Sequence, residues 1–258
     1  MNKPNTPLIS IVTVTLNCVE DALVTAKSVL NQTSHNFEYI VKDGGSTDGT
    51  IEALRSLGIN VIVSKDIGIY DAMNQALKFC RGDYIYFLNA GDSFFSPEVL
   101  ENIIPQLKLT LDIYYGNIFL LPMQKQSNYP RKLSRLYLFW KNINHQALLI
   151  KRELYVSLGG FDLHYKYAAD QKVLWDSILL KKCSYQFIPQ VITKFAYGGF
   201  STSISSITDV QKERKRLTAS FFSKTEIILY GIYHLSFLTF LKNIVWKMKY
   251  SQYLGKEI

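Results

Sequence analysis

The sequence is poor in cysteine and lacks any pattern for a disulfide framework. Its three cysteines, Cys18, Cys80 and Cys183, are odd in number and widely spaced along 258 residues. Small secreted domains held by disulfides carry many paired cysteines, so this spacing argues against that class and indicates a reducing compartment. The first residues, Met1–Pro7, are polar and contain two prolines, which does not fit a secretory signal peptide. We therefore expect the protein to face the cytosol.

Several motifs that would assign a chemistry directly are also missing. The sequence has no Gly-x-Gly-x-x-Gly dinucleotide fingerprint, no Gly-x-x-x-x-Gly-Lys-Ser/Thr phosphate loop and no Gly-x-Ser-x-Gly nucleophile elbow. The Cys/His spacing of a zinc site is absent as well. These absences leave carboxylates at the ends of predicted strands and helices as the candidate chemical groups.

The chain also lacks an apolar run long enough to span a bilayer. The best candidate, Ile227–Leu241, is interrupted by Gly, His, Ser and Thr, whereas a spanning helix needs about 20 apolar residues. We expect a helix that lies on a membrane surface or packs against the core. Residues 201–258 hold nine Lys/Arg against four Asp/Glu, within a net charge of +8. Such a basic end favours an anionic surface, and its apolar run favours phospholipid over nucleic acid.

What the chain has is a regular alternation of strands and helices. Its residues are 48% hydrophobic and 19% charged, as in a folded protein with a substantial core. This alternation predicts an α/β fold with a doubly wound, mostly parallel sheet flanked by helices, followed by a helical C-terminal extension. The predicted strands are Leu8–Leu16, Phe37–Val41, Asn60–Ser64 and Tyr84–Leu88, and the predicted helices are Glu20–Leu30, a segment ending near Leu57, Ile69–Phe79 and Pro97–Leu107.

The second half of the chain is less regular. A basic and aromatic stretch, Pro122–Lys141, is predicted as a loop that either lines a substrate site or connects elements in solvent. A helix begins near Ala168, and Gly198–Ser201 breaks the pattern before the C-terminal helices. The strands predicted here are Asp112–Leu121, Ile143–Ile150 with His145 and Gln146 inside it, Tyr185–Ile188 and Val191–Phe195.

Asp92 follows the predicted strand Tyr84–Leu88 after a short polar turn. Because ligands of open α/β sheets bind at the carboxyl ends of strands, Asp92 is a candidate for holding a metal or a sugar. The alternative is a residue that only bonds its own turn. Asp43 follows the second strand in the same way, and Asp170 lies at a helix start, where it is either a ligand-facing group or an N-cap. One or two such carboxylates suffice for a hard divalent cation that also binds substrate phosphates.

The order of the motifs in this chain resembles that of the family 2 glycosyltransferases with the GT-A fold. The resemblance covers roughly residues 8 to 200 and is closest to the bacterial branch that builds capsule, exopolysaccharide or O-antigen units. It implies a GT-A nucleotide-sugar-binding and catalytic domain over residues 1–200 and a basic, amphipathic helical region over 201–258. The motifs that carry it are Val14–Asn17, Ser28–Gln32, Asp43–Thr50, Gly68–Asn74, Arg81–Asp92, His145–Gln146, Gly159–Asp162 and Ala169–Asp170.

The resemblance also implies roles for individual residues. Asp170 matches the catalytic base, which takes the proton of the acceptor hydroxyl as that oxygen attacks the anomeric carbon, so that the configuration inverts. Asp92 matches the last Asp of the Asp-x-Asp signature, which holds Mn²⁺ or Mg²⁺ against the donor diphosphate. His145 and Gln146 are interpreted as lining the pocket, and Gly198–Ser201 as a lid. The residues implied to bind the nucleotide-sugar donor are Thr15, Asn17, Asp43, Asp71, Asn74, Asn89 and Gly91.

Two of these positions depart from the pattern. Asn89 and Gly91 stand where many relatives have Asp, so we expect weaker metal binding before the donor arrives.

Asp71 and Asn74 lie three apart on one face of a predicted helix, near its start, and either bond the donor or cap the helix.

The expected function is transfer of a sugar from a nucleotide diphosphate to a saccharide acceptor. The basic C-terminal region favours a lipid-linked acceptor at the inner membrane surface, with the protein cytoplasmic and peripherally bound. Two alternatives stay open at this point. One is an inactive nucleotide-sugar-binding scaffold in a polysaccharide-assembly complex. The other is a nucleotidyltransferase, although the first strand is not followed by the Gly-rich phosphate loop that such an enzyme needs. No nucleic-acid partner is expected.

Overall fold

A β-branched run near the start of the chain forms the strand around which the sheet is built. In the computed structural model, which describes residues 6–121, 123–196 and 207–233, all seven residues of strand β1 (Ile9–Thr15) are buried. Strands that are buried on both faces are the norm in sheets covered by helices on each side. The predicted lid, Gly198–Ser201, and the basic residues beyond position 233 lie outside the described residues.

Strands and helices alternate through the first half of the chain, as predicted. Short 3₁₀ turns extend α4 and precede β8, and a π-helical segment extends α7. The bounds are β1 Ile9–Thr15, α1 Val19–Leu30, β2 Phe37–Asp43, α2 Thr50–Ser56, β3 Val61–Val63, α3 Ile69–Leu77, β4 Tyr84–Phe87, β5 Ser93–Phe94, α4 Val99–Ile103, β6 Ile113–Leu120, β7 Lys125–Ser127, α5 Arg135–Trp140, β8 Leu148–Lys151, α6 Arg152–Leu158, α7 Ala169–Trp175, β9 Tyr185–Phe195 and α8 Ile207–Phe221.

The first half of the sheet confirms the predicted parallel arrangement. Strands β3, β2, β1 and β4 lie side by side, and each neighbouring pair is parallel. In the register, Thr15 pairs with Asp43, so both predicted ligand residues stand at the same edge of the sheet. The second half continues through β8, β6, β9 and β5 and is mixed: β8 runs antiparallel to β4 and β6, while β6 and β9 are parallel.

The predicted strand Ile143–Ile150 is wrong in its first half. Residues His145–Ala147 form a 3₁₀ turn, and strand β8 begins only at Leu148. The physical reason is that the carbonyl oxygen of Gln146 is occupied by two buried hydroxyls, those of Tyr86 (2.7 Å) and Thr193 (2.6 Å), instead of a neighbouring strand. The turn therefore leaves the ladder and projects its side chains toward the carboxyl end of β4.

Two further predictions need correction. The stretch Pro122–Lys141 is not a plain loop, because among its described residues it holds strand β7 and helix α5, whose N-cap Ser134 accepts a hydrogen bond from the N–H of Tyr137. The two short strands predicted over residues 185–195 are one strand, β9, with an irregular register opposite Gly116. A Cβ on Gly116 would lie 2.7 Å from Ile192, so the close approach of β6 and β9 requires a glycine there.

The described part of the C-terminal region packs on the domain through aromatic side chains. Trp175 of α7 is fully buried and contacts the rings of Phe221 and Phe222, with centroids 5.3 and 5.1 Å away. Arg135 of α5 lies over the Phe222 ring and bonds Glu226 at 2.5 Å. In residues 6–121, 123–196 and 207–233, we find no helix long and apolar enough to cross a membrane.

We predict that Gly82→Ala destabilises the fold. Gly82 precedes β4, and a Cβ there would lie 2.5 Å from the backbone nitrogen of Ser10 and 2.7 Å from the carbonyl carbon of Ile9. Such a clash with backbone is relieved only by moving β1 or β4, so we expect the free energy of unfolding to fall by about 1–3 kcal/mol. Chemical denaturation measures it.

The control for this variant is Gly231→Ala. Gly231 lies in the helix over residues 224–233, and an added Cβ meets no atom within 4 Å. Replacing a helical glycine by alanine where the added Cβ has open space stabilises by roughly 0.5–1 kcal/mol. Equal stability of Gly82→Ala and the wild type would show that β1 and β4 adjust freely.

Candidate active site

A cavity of about 750 Å³ opens at the carboxyl ends of β1 and β4. Polar residues from seven separate segments meet there, which is the position expected for a ligand site in such a sheet. Of the residues predicted from sequence, the cavity is lined by Thr15, Asn89, Asp92 and Asp170, together with His145 and Gln146. Its other polar lining residues are Asp66, Ser127, Asn142, Asn144, Lys166, Tyr167 and Arg214.

Asp92 is a buried carboxylate held by two hydrogen bonds. It is only 3% exposed, and its oxygens accept from the backbone N–H of Ala196 and from the side-chain amide of Gln146, each at 2.9 Å. Burial raises the pKa of Asp92 to about 6, because removal from water disfavours the charged form. Each carboxylate oxygen still has a lone pair that a ligand could use.

Amide oxygens without partners line the same cavity as this carboxylate. Asn89 Oδ1, Asn142 Oδ1 and Gln146 Oε1 are buried and accept no hydrogen bond, and all three residues line the cavity. Buried polar atoms are nearly always satisfied, so three unpaired oxygens on one cavity indicate a place for a ligand that supplies donors or positive charge.

The oxygen ligands that the protein offers suit a hard cation only if the substrate supplies further oxygen ligands. Among the described residues there is no group of three His, Cys, Asp or Glu side chains that could hold a metal ion. Asp92 and the amide oxygen of Asn89 are the kind of oxygen ligands that Mg²⁺ or Mn²⁺ accepts, but diphosphate oxygens and water would have to complete the coordination. The residues present therefore fit a metal that binds together with a diphosphate.

Asp170 lies at the start of α7 with both oxygens engaged. Tyr70 donates its hydroxyl to Oδ1 at 3.0 Å, the backbone N–H of Gln171 donates to the same oxygen at 2.8 Å, and His145 Nδ1 lies 3.0 Å from Oδ2. Burial acts to raise the pKa of Asp170, but the bonds from His145, Gln171 and Tyr70 outweigh it and hold the pKa below its usual range. Asp170 is therefore a carboxylate at neutral pH.

The sequence indicated His145 and Gln146 only as pocket-lining residues. The structure assigns each to a carboxylate: His145 contacts Asp170, and Gln146 contacts Asp92. The remaining imidazole nitrogen of His145, Nε2, lies 2.9 Å from the amide nitrogen of Asn89. The sequence signal for these contacts was the adjacent His-Gln pair itself, but nothing in the spacing told which carboxylates it would meet.

Asp43 and Asn17 build the rim of the site and do not line the cavity. Asp43 is fully buried and accepts four hydrogen bonds, from the hydroxyls of Thr15 and Ser46 and the backbone N–H groups of Gly45 and Ser46, at 2.6–2.8 Å. Burial acts to raise its pKa, but these bonds outweigh burial and keep the pKa low. Asn17 bonds Ser46 and Thr47 and so links the loops after β1 and β2. Donor binding by both residues stays a prediction.

Asp71 and Asn74 are used inside the protein. Asp71 accepts from the backbone N–H of Ile67 and from Gln75, each at 3.0 Å, as a residue that stabilises the helix start does. Asn74 holds the backbone of Phe161 at both its N–H (2.8 Å) and its carbonyl (2.9 Å). Neither residue lines the cavity. The contacts of Asp71 fit the capping alternative, whereas those of Asn74 join α3 to the turn after α6, and donor binding stays a prediction for both.

Gly91 departs from the acidic pattern for a backbone reason. Its φ is +93°, a left-handed conformation that favours glycine, and its N–H donates to the carbonyl of Asp21. An Asp at this position would be strained.

Behind the cavity wall, fully buried Lys42 is paired with Asp66, which satisfies a charge that would otherwise be costly to bury.

The sequence matches the model of the family Glycosyl transferase family 2 over residues 10–162. The chain belongs to glycosyl transferase family 2. A PGL/p-HBAD biosynthesis glycosyltransferase of Mycobacterium tuberculosis (strain ATCC 25618 / H37Rv) is 30% identical over 215 residues, which cover 77% of this chain and 80% of the relative. The present chain is also 34% identical to chondroitin synthase of Escherichia coli over 112 residues, which cover 42% of this chain and 16% of the synthase.

Solved structures confirm the GT-A fold of this family 2 glycosyltransferase. The mannosyltransferase PcManGT of Pyrobaculum calidifontis, in complex with GDP-Man and Mn²⁺, matches with a TM-score of 0.60 at 19% identity, over 77% of this chain. The chain spans 59% of that structure. Residues 1–349 of S. aureus TarS, in complex with UDP-GlcNAc, match with a TM-score of 0.61 at 16% identity, over 75% of this chain and 60% of that chain. At these identities the likeness shows the fold alone.

We predict that Asp92→Asn stabilises the protein at pH 8 and not at pH 4. The pKa of Asp92 is about 6 in the folded protein against an ordinary value of 3.8, so its ionisation costs stability as the pH rises from about 4 and the full cost is reached above about pH 6. Because Asn is neutral at every pH, we expect the variant to gain roughly 3 kcal/mol at pH 8. Urea denaturation at both pH values measures the difference.

The control is Asp209→Asn. The Asp209 side chain is 61% exposed on α8, so its replacement should change stability little and equally at both pH values. A gain for Asp92→Asn of the same size at pH 4 and pH 8 would contradict the buried, uncompensated carboxylate.

Proposed function

We propose that this family 2 glycosyltransferase transfers a sugar from a nucleotide diphosphate to a saccharide hydroxyl with inversion, using Asp170 as the base. The observation that carries the proposal is an ionised carboxylate, fixed by Tyr70 and His145, that lines the same cavity as Asp92. This geometry supports a division of roles, in which Asp170 activates the acceptor and Asp92 binds the donor.

Asp170 would act in a single displacement. It accepts the proton of the acceptor hydroxyl while that oxygen forms a bond to the anomeric carbon, and the bond from this carbon to the nucleotide diphosphate breaks. The electron pair of the broken bond leaves with the diphosphate, and the attack from the opposite side inverts the configuration. Oδ1 of Asp170 accepts two hydrogen bonds and Oδ2 one, which limits rotation of the carboxylate and aims the free lone pair of Oδ2.

Asp92, with Asn89 beside it, is the group proposed to hold Mn²⁺ or Mg²⁺. The metal supplies a Lewis acid that neutralises charge on the departing diphosphate. Relatives of this fold are known with such groups, namely PcManGT with GDP-Man and Mn²⁺ and a glucosyl-3-phosphoglycerate synthase of Mycobacterium tuberculosis with Mg²⁺ and UDP. The fixed position of Asp92 and the unpaired amide oxygens near it support the same use here.

The acceptor is proposed to be a lipid-linked saccharide of a capsule, exopolysaccharide or O-antigen unit at the inner membrane surface. The helix over residues 224–233 packs Ile227 and Tyr230 against the core cluster. The side chains of Ile228, Leu229 and Ile232 stay 57–61% exposed on one face of that helix. A helix with one face on the domain and an apolar face outward suits a peripheral protein, which we expect on the cytoplasmic side.

We predict that Asp170→Asn abolishes transfer while donor binding survives, because Asn cannot accept a proton at this step. The loss expected for a missing base is about 10²–10⁴-fold in kcat. Asp92→Asn should instead weaken metal-dependent binding of the donor. Nucleotide release is measured with a panel of nucleotide sugars, including UDP-GlcNAc and GDP-mannose, with Mn²⁺ or Mg²⁺ and a lipid-diphosphate acceptor extract. Donor binding is measured by calorimetry.

Full transfer activity in both Asp170→Asn and Asp92→Asn would contradict the proposed mechanism. Donor binding by the wild type without any turnover across the panel would point to the scaffold alternative. Asp162→Asn serves as control, since Asp162 is a half-buried carboxylate that bonds His164 and does not line the cavity.

We predict that the triple variant Ile228→Gln, Leu229→Gln, Ile232→Gln loses binding to vesicles with anionic phospholipid. Each side chain is exposed on the free protein, so the fold should keep its stability while the apolar contact with lipid is removed. Vesicle sedimentation measures the bound fraction. Val156→Gln is the control, because Val156 is 70% exposed on α6. Unchanged binding of the triple variant would reject a membrane role for this face.

A further inference from the structure

His145 connects the two halves of the site. Its Nδ1 lies 3.0 Å from Asp170 Oδ2, and its Nε2 lies 2.9 Å from Asn89 Nδ2. The ring belongs to the turn before β8, Asp170 to α7 and Asn89 to the turn after β4, so three separate segments meet at one imidazole. The ring is largely buried, with 16% of the side chain exposed.

The neighbours of His145 determine which of its nitrogens carries the proton. An amide nitrogen only donates hydrogen bonds, so Nε2 must accept from Asn89 and carry no proton. The proton of the neutral ring is then on Nδ1, where it is donated to the Asp170 carboxylate. The same arrangement turns Asn89 Oδ1 away from the ring, and this is one of the oxygens without a partner on the cavity.

We propose that His145 is a positioning residue, which orients Asp170 through an Nδ1–H donor and is itself held in that tautomer by Asn89. The inference rests on the proposed function, because it takes Asp170 as the base. It also gives Asn89 a task that does not require a carboxylate: an acceptor-only side chain at position 89 would demand a proton on Nε2 and so change the ring that Asp170 contacts.

The other groups around Asp170 cannot replace His145. Tyr70 from α3 bonds the opposite carboxylate oxygen, and Tyr155 from α6 is fully buried nearby and lies close enough to feel its charge. Glu213 from α8 bonds the backbone N–H groups of residues 166–168. Removing the imidazole would leave Oδ2 without its donor, and the carboxylate would be free to turn.

The first test compares three variants at position 145. We expect His145→Ala to lower kcat about 100-fold with little change in the KM for the donor, as for a misplaced catalytic group. Asn places an amide N–H near the Nδ1 position, so His145→Asn should recover about tenfold of that loss. His145→Gln, whose amide reaches toward Asn89 instead, should stay as low as the Ala variant. The donors are UDP-GlcNAc and GDP-mannose with Mn²⁺, together with any donor found active in the panel.

The pH profile separates orientation from a loss of structure. Hydrogen bonds from His145 lower the pKa of Asp170 against the effect of burial, so without them the acid limb of kcat in His145→Ala should move to higher pH. His164→Ala is the matched control: His164 also bonds an aspartate, Asp162, at 2.9 Å, but the ring is 90% exposed. This control should keep the wild-type kcat and the wild-type pH profile.

The second test needs no substrate. The four histidines of the chain are labelled with ¹⁵N, and the protonation of their ring nitrogens is measured by NMR. The signals of His145 are those that disappear in His145→Asn. At pH 8 we expect an unprotonated Nε2 and a protonated Nδ1. In Asn89→Asp the carboxylate only accepts, so Nε2 should become protonated.

The outcomes distinguish this inference from the proposed function. An Nε2–H tautomer in the wild type, or a His145→Ala enzyme within about twofold of wild type while Asp170→Asn is inactive, would overturn the role of His145 and leave the base intact. Full activity of Asp170→Asn would overturn the proposed function itself. Loss of kcat, rescue by Asn and the Nδ1–H tautomer together support the positioning role.

Discussion

The carbonyl oxygen of Gln146 accepts hydrogen bonds from two buried hydroxyls, and both halves of the site depend on this contact. Tyr86 of β4 and Thr193 of β9 are buried and lie 2.7 and 2.6 Å from that oxygen. They hold the turn before β8 out of the sheet. As a result the Gln146 side chain reaches Asp92, and the adjacent His145 reaches Asp170. Hydrogen bonds in such a dry setting are strong, and a missing partner is costly, so the turn is firmly placed.

The two carboxylates show how surroundings divide chemical roles between like residues. Asp92 has two hydrogen bonds, and burial dominates, so its pKa rises to about 6. Asp170 is also buried but receives bonds from His145, Gln171 and Tyr70, so its pKa falls. A buried carboxylate with a raised pKa is stabilised in its ionised form when a cation binds beside it. A carboxylate that is already ionised at neutral pH can accept a proton from a substrate. Environments that separate such pKa values are a general means of assigning roles in enzyme sites.

The C-terminal part of the chain serves the fold and leaves a surface available. Trp175, Phe222 and Arg135 bind the region over residues 207–233 to the domain, and Leu217 of α8 is fully buried. The sequence posed a choice between a membrane helix and a core-packing helix. The described residues of the helix over 224–233 pack on the core with one face, while their other face is apolar and exposed, so within the described part of the chain the membrane interpretation concerns this exposed face.

The sequence by itself determined the α/β class, the parallel order of the first four strands and the positions of Asp92 and Asp170, because local periodicity and strand-end polar turns depend on neighbours along the chain. It did not determine the break of Ile143–Ile150 at Gln146, since the hydroxyls that cause it come from residues 60 and 47 positions away. It placed Asp71 and Asn74 on the right helix and Asp43 at the end of the second strand, but it could not tell that their oxygens already accept hydrogen bonds from other groups of the protein. Only the tertiary structure decided that His145 faces Asp170 and Asn89, because this contact joins three segments that sequence spacing leaves unrelated.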